Sequence, residues 1–178
     1  SDVMHGKNNI DTNQGFGSGK YRKDISDWVL GYIIGTDWNA ETIAYTNHQP
    51  YEDTFEGKYV KTKENSTKFE VLLAKVMESM ISYETEKYQE QRIISIASHP
   101  KIDPFEYDSF YAKQLGKHSE VYMEHLESLP AYASGMFAFY NLYQFTDEFY
   151  SYFSSDQKEK LASIYSKRNS TYRYGGDT

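Results

Sequence analysis

Two histidines, His118 and His125, carry the most interesting titratable chemistry in this sequence. Helical spacing over about 105–128 sets both inside an apolar stripe with Tyr107, Phe110, Tyr111, Leu115, Val121, Tyr122 and Leu126. Seven helical residues separate them by about 10.5 Å. One ion ligated at about 2 Å cannot be held by both, so a metal centre would need ligands from a second helix. Neither HExxH nor ExxH occurs, which removes the main support for zincin and di-iron readings. The pair therefore reads as structural, bonded to tyrosines or backbone, with sensitivity to pH near neutrality as its remaining chemistry. Glu120, Glu124 and Glu127 fall on the opposite side of that helix, and Glu84, Glu86 and Glu90 in the polar middle of a longer one, so both sets read as solvated faces. A glycosidase pair would have to close across helices at about 5–9 Å. Ser134-Gly135 lacks the surrounding nucleophile-elbow pattern. Gly15, Gly17, Gly19 and Lys20 imitate a phosphate loop, but no strand precedes them and Tyr21 stands where a Ser or Thr would bind magnesium. No cofactor and no metal are expected.

The elements that would position these residues read as helices. Between Phe137 and Phe153 nine positions are aromatic and only Asp147 and Glu148 are charged. At 100° per residue Met136, Phe139, Leu142, Tyr143, Phe149 and Phe153 share a wide apolar arc, so 131–153 is expected to be a central helix. It is too short and too interrupted to cross a bilayer, which needs about 20 apolar residues. Around it the spacing predicts a helix from Asp24 to about Ile34 stopped by Gly35. A short helix or strand follows over Asn39–Thr46, then a hairpin or loop around Glu56-Gly57. A long helix capped by Asn65 or Ser66 reaches Ala97 or breaks near Tyr83, and the helix 105–128 follows after the connector of His99-Pro100 and Asp103-Pro104. A last short helix opens at Ser154 or Ser155. The expected fold is mainly α: a single-domain bundle of about four to six helices around an aromatic-rich central helix, with minor strand content near 51–62. Residues 1–20 form a flexible tether, 21–170 the helical domain and 171–178 a flexible tail.

The 178 residues suit one core. With 18 Tyr and 10 Phe, that core is built of rings with polar tips. A formal charge of −7 argues against nucleic acid as a partner, because binding depends on clustered cations neutralising phosphates. The absence of cysteine excludes disulfides and thiol chemistry.

The first 19 residues lack apolar periodicity, are rich in Gly, Asn and Ser, and are expected to contribute nothing to folding. The start at Ser1-Asp2, this polar segment and the lack of cysteine resemble the mature part of a small Gram-positive surface lipoprotein. That resemblance implies an extracytoplasmic location and membrane contact only through an N-terminal lipid anchor. The leading expectation is thus a non-enzymatic, surface-anchored binding or accessory protein for a protein or small-molecule ligand. A cytosolic or phage-encoded acidic inhibitor or immunity protein is the alternative, and an enzyme without a recognisable motif comes third. A precursor with a lipobox cysteine before Ser1 would separate the first two. Phe137 and Tyr140 fall in the polar arc of the central helix beside Asn141 and Gln144, which makes these four the candidate binding patch.

Overall fold

The computed structural model describes residues 1–10, 19–36, 38–106, 109, 112–113, 116–140, 154–156 and 158–159. The chain divides into two compact units, Ser1–Asn141 and Leu142–Thr178. In the second, the amide of Lys158 donates to Ser154 O at 2.9 Å, one helical turn.

The first unit mixes helices and strands. In chain order it holds β1 (Asn8–Ile10), β2 (Gly19–Tyr21), β3 (Gly31–Ile34), α1 (Ala40–Asn47), β4 (Val60–Thr62), α2 (Lys68–Tyr88), β5 (Ile93–Ile96) and β6 (Leu126–Ser128). Among the described residues the strands form three two-stranded sheets, β1 with β2 and β4 with β6 antiparallel, and β3 with β5 parallel. This overturns the expected helical bundle. Among the described residues two complete α-helices stand where four to six were expected.

The long helix α2 is the axis of the core, and its bounds follow from local chemistry. Thr67 accepts from the amide of Glu70, whose carboxylate reaches back to the Thr67 amide at 2.7 Å, a capping box that satisfies two otherwise orphaned donors. Gln89 in the left-handed region (φ 57) ends it. Its buried stripe runs through Glu70, Leu73, Ala74, Met77, Ile81 and Glu84, the i, i+3, i+4, i+7 pattern of one helix face. Ile43 of α1, Val60 of β4, Ile94 and Ile96 of β5, Leu126 of β6 and Tyr132 complete the core around that stripe.

Among the described residues three expected helices do not run as the spacing predicts. The segment from Asp24 becomes a 3-10 turn, Ser26–Trp28, followed by β3, in which Tyr32 and Ile34 pack on the core while Ile33 faces water. The alternation of a strand has replaced the helical period, favoured by β-branched Val29, Ile33 and Ile34. Over 105–128, helical conformation among the described residues stops at Gly116 (φ +65). Its amide donates to Lys113 O and that of Lys117 to Ala112 O, the paired bonds of a Schellman stop. Beyond it lie a 3-10 turn, Met123–His125, and β6, so His118 and His125 never share a helical stripe. The expected central helix fails over 131–140. Gly135 adopts φ +75, the Ile94 amide donates to Gly135 O and the Phe137 amide to Ile94 O, so this stretch adds a parallel bridge at Met136 to β5. Residues 141–153 lie outside the described residues. Nor, among the described residues, do the rings gather into one cluster: their contacts form small separate groups such as Trp38 with Phe69 and Tyr88 with Tyr83 and His5.

The expected tether also packs where it is described. Residues 1–7 form a tight turn, with the amides of Met4 and His5 donating to Ser1 O, and the side chains of Met4 and His5 are buried. Gly6 (φ +64) lies so close to the backbone of Arg22 and Lys23 that a Cβ would fall 2.7 Å from it. Among the described residues no helix is long and apolar enough to cross a membrane.

The β3–β5 pairing brings Gly31 against Ile93, where an added Cβ would stand 2.5 Å from the Ile93 carbonyl oxygen. Gly31→Ala is therefore expected to lower the urea-unfolding free energy by about 1–3 kcal/mol through overpacking. A change under about 0.5 kcal/mol would contradict this strand register.

Candidate functional site

The densest chemistry lies where the C-terminal turns of α2 meet the N-terminal turn. Glu84, the last member of the buried stripe, is only 2% exposed. A buried carboxylate needs partners, and Glu84 has three. Ser1 Oγ and Arg92 Nη1 donate to its two oxygens, and His5 Nε2 stands 3.3 Å from Oε1. His5 is itself 5% exposed and stacks on Tyr88 with ring centroids 3.5 Å apart at 9°. Its Nε2 is also 3.8 Å from Glu90 Oε2, and its Nδ1 faces Asp24 Oδ2 at 3.8 Å.

Arg92 connects this cluster to the surface. One edge of its guanidinium meets Glu84 and Glu90, while Nη2 donates to Ser26 O at 3.1 Å and Nε to Val29 O at 3.0 Å. Tyr132 OH donates to the Arg92 carbonyl, fixing the backbone as well. The Ser26–Leu30 turn thereby rests on a side chain that is nine-tenths buried. Asp24 braces the same turn, accepting from the Ser26 hydroxyl at 2.6 Å and from its amide at 2.9 Å, bonds that hold its carboxyl below the ordinary carboxylate range. What the turn displays is apolar: Trp28 is 90% and Leu30 82% exposed, with Ile25 and Ile33 also open to water.

Beside this cluster, Asp2 closes the N-terminal turn. It accepts from Tyr83 OH at 2.6 Å, from Tyr88 OH at 2.7 Å and from Lys87 Nζ at 3.0 Å. The Tyr83 hydroxyl foremost, then Tyr88 and Lys87, hold its carboxyl well below the ordinary 3.8. Burial, and then the bond to Asp2, push the Tyr88 phenol up to about 12. Between these groups opens a cavity of about 630 Å³ lined by Asp2, Tyr32, Lys75, Met80, Tyr83 and Glu84. Burial and the neighbouring Glu84 raise the Tyr32 phenol to about 12 as well.

The residues singled out in the sequence sit elsewhere. His118 is exposed on the wall of a second cavity of about 550 Å³, with Lys117, Glu120 and Tyr122. His125 is half-buried, its Nδ1 2.8 Å from Glu70 Oε2 and its Nε2 3.0 Å from Asn65 Nδ2. Phe137 and Tyr140 are half-buried in the extended stretch after Met136, the Tyr140 ring 5.0 Å from that of Phe105. Asn141 and Gln144 lie outside the described residues. The cluster brings together Ser1, His5 and Arg92, which sequence reasoning passed over, with Glu84 and Glu90, which it read as part of a solvated face; Glu84 is instead buried. One signal was present: Glu84 follows Met77 and Ile81 at i+7 and i+3, on the apolar stripe rather than among the solvated glutamates. Among the described residues, His5, Glu84 and Glu90 also form the one group whose ligand atoms all lie within 4.8 Å of one another.

Comparison of the chain with protein-family models, with curated proteins and with solved structures finds no match.

Glu84→Ala would leave the Arg92 guanidinium buried against Glu90 alone, and is expected to cost about 3–5 kcal/mol in urea unfolding. A loss below about 1 kcal/mol would show that the pair does not hold the N-terminal turn. The depressed Asp2 carboxyl contributes stability that is complete above its ordinary value of 3.8 and is lost as the pH falls from there towards its folded value. The melting temperature of the wild-type protein should thus exceed that of Asp2→Asn at neutral pH, with the gap closing below pH about 4. A gap unchanged at pH about 2 would contradict this.

Proposed function

We propose that this protein is a non-enzymatic binding module that engages a protein partner through the Ile25–Leu30 turn. The exposure of Trp28 and Leu30 on a rigidly held turn carries the reading. Monomeric proteins rarely expose large side chains in contiguous patches, and Trp is the residue most enriched in the centres of interfaces. The turn is preorganised by Arg92 and Asp24, so ordering it on binding costs little.

The charges around the turn select the kind of partner. Exposed Arg22, Lys23, Asp24 and Asp27 surround it with both signs, the pattern of a polar rim around an apolar centre. An anionic bilayer fits less well, because the chain carries a formal −7 and Asp27 beside Trp28 would be drawn into the lipid interface. The occupant is therefore a protein cleft that takes an indole and a leucyl side chain. Catalysis by the buried cluster has weak geometric support: Ser1 Oγ and His5 meet the two oxygens of one carboxylate rather than each other, so no nucleophile is paired with its base.

The test compares Trp28→Ser/Leu30→Ser with a control at another exposed ring, Tyr45→Ser. Both variants should unfold within about 0.5 kcal/mol of wild type, because the truncated groups are already in water. Affinity capture from the source cells should retain a protein with wild type and Tyr45→Ser that the double variant loses. Identical capture by all three proteins would overturn the proposal, as would binding of wild type to phosphatidylglycerol vesicles that the double variant abolishes.

A further inference from the structure

We infer that His5, Glu84 and Glu90 form a binding site for a divalent first-row metal ion, zinc being the best fit. The proposal does not depend on the apolar turn having a partner.

Geometry comes first. Ligand atoms around a tetrahedral ion bound at about 2.0–2.2 Å stand roughly 3.3 Å apart. His5 Nε2 is 3.3 Å from Glu84 Oε1 and 3.8 Å from Glu90 Oε2, and all three atoms lie within 4.8 Å of one another. The two His5 distances are close to those of a bound ion, and the carboxylates, at most 4.8 Å apart, would draw together around it. The imidazole is already aimed, because stacking on Tyr88 fixes the plane of its ring. Asp24 Oδ2 faces its far nitrogen, Nδ1, at 3.8 Å. At that distance it is a charge neighbour rather than a hydrogen-bond partner, and a short approach would make it the outer-shell carboxylate that sets the tautomer and basicity of a ligating histidine.

Charge supports the same conclusion. Glu84, Glu90 and Asp24 bring three formal negative charges to the neighbourhood of His5, against which Arg92 and, beside Tyr88 and Asp24, Lys7 supply two positive charges. The remainder is negative and favours a cation. Each carboxylate oxygen has two lone pairs, so Glu84 and Glu90 can keep a bond to Arg92 while turning the second lone pair to the ion. Arg92 has its own anchors in the Ser26 and Val29 carbonyls and need not leave. Entry is open from the Glu90 side, whose side chain is 39% exposed, and that side also leaves a coordination position for water. One nitrogen and two carboxylate oxygens suit zinc, manganese or iron(II) rather than calcium, which takes six to eight oxygens.

The test titrates zinc into chelator-treated full-length protein by calorimetry, with equilibrium dialysis for stoichiometry and circular dichroism for the fold. One zinc per chain is expected, with a melting temperature that rises with zinc concentration. Glu90→Gln keeps an acceptor for Arg92 at a half-exposed position and should fold, while weakening zinc at least tenfold. Asp24→Asn should weaken it about 10–100-fold through the histidine. His5→Gln should remove high-affinity binding, and His125→Ala should leave it unchanged. Binding of less than a tenth of an equivalent would overturn the site. So would zinc affinity that is unchanged in folded Glu90→Gln and Asp24→Asn, or that is lost in His125→Ala.

Discussion

The buried pair of Glu84 and Arg92 is the contact on which the N-terminal half of this protein depends. A carboxylate on the core face of α2 cannot stay ionised at 2% exposure without compensation. Arg92 supplies that compensation and, because a guanidinium has five donors in a fixed fork, it also binds the Ser26 and Val29 carbonyls. One side chain thereby fixes three pieces of chain with no regular structure in common: the end of α2, the turn before β3 and, through Glu84, the residues Ser1 and His5. Such a pair adds little net stability compared with apolar packing, but removing one partner is costly, so it specifies a single arrangement.

A second carboxylate repeats the device at the other end of the same helix. Glu70, fully buried, accepts from the amides of Thr67 and Tyr122 at 2.7 Å each and meets His125 Nδ1 at 2.8 Å. Fourteen residues separate Glu70 from Glu84, about 21 Å along the axis. Between them the stripe is apolar: Leu73, Ala74, Met77 and Ile81. The helix is thus a strut with a polar lock at each end, and each lock holds a histidine from outside the α-helices. Short strands of three or four residues bury too little to fix their own positions, so the locks determine where the irregular chain lies.

The same arrangement links the cluster to the surface. Trp28 and Leu30 gain nothing from the core, yet the backbone beside them is bonded to Arg92 through the Ser26 and Val29 carbonyls. The rigidity of that turn comes from the buried charges under it, and Asp24 belongs to both, bracing Ser26 on one side and facing His5 on the other.

Several features were legible in the sequence because their cause is local. The stretch Asn39–Thr46, expected as helix or strand, is the helix α1 with Asn39 accepting from the Thr42 amide, and the long amphipathic helix appears as α2, one or two residues past its expected cap and ending at Tyr88 rather than near Tyr83 or at Ala97, since Ile93–Ile96 is a strand. Both follow from side chains within four residues of one another. The turn at Glu56-Gly57 is also local, closed by the bridge of Glu56 with Lys61. The remaining segments were decided by tertiary contacts. Ile25, Trp28, Tyr32 and Ile33 have helical spacing, but a parallel strand gains its hydrogen bonds from β5, about sixty residues away, and no local period records that. The stretch 131–140 likewise joins β5 through Ile94. The placing of His5 against Glu84 and Glu90 was equally hidden. A sequence shows that Glu84 lies on an apolar stripe, but only the folded chain shows that an arginine eight residues on and a histidine seventy-nine residues before it meet that carboxylate, because burying a charge is affordable only once its partners are in place.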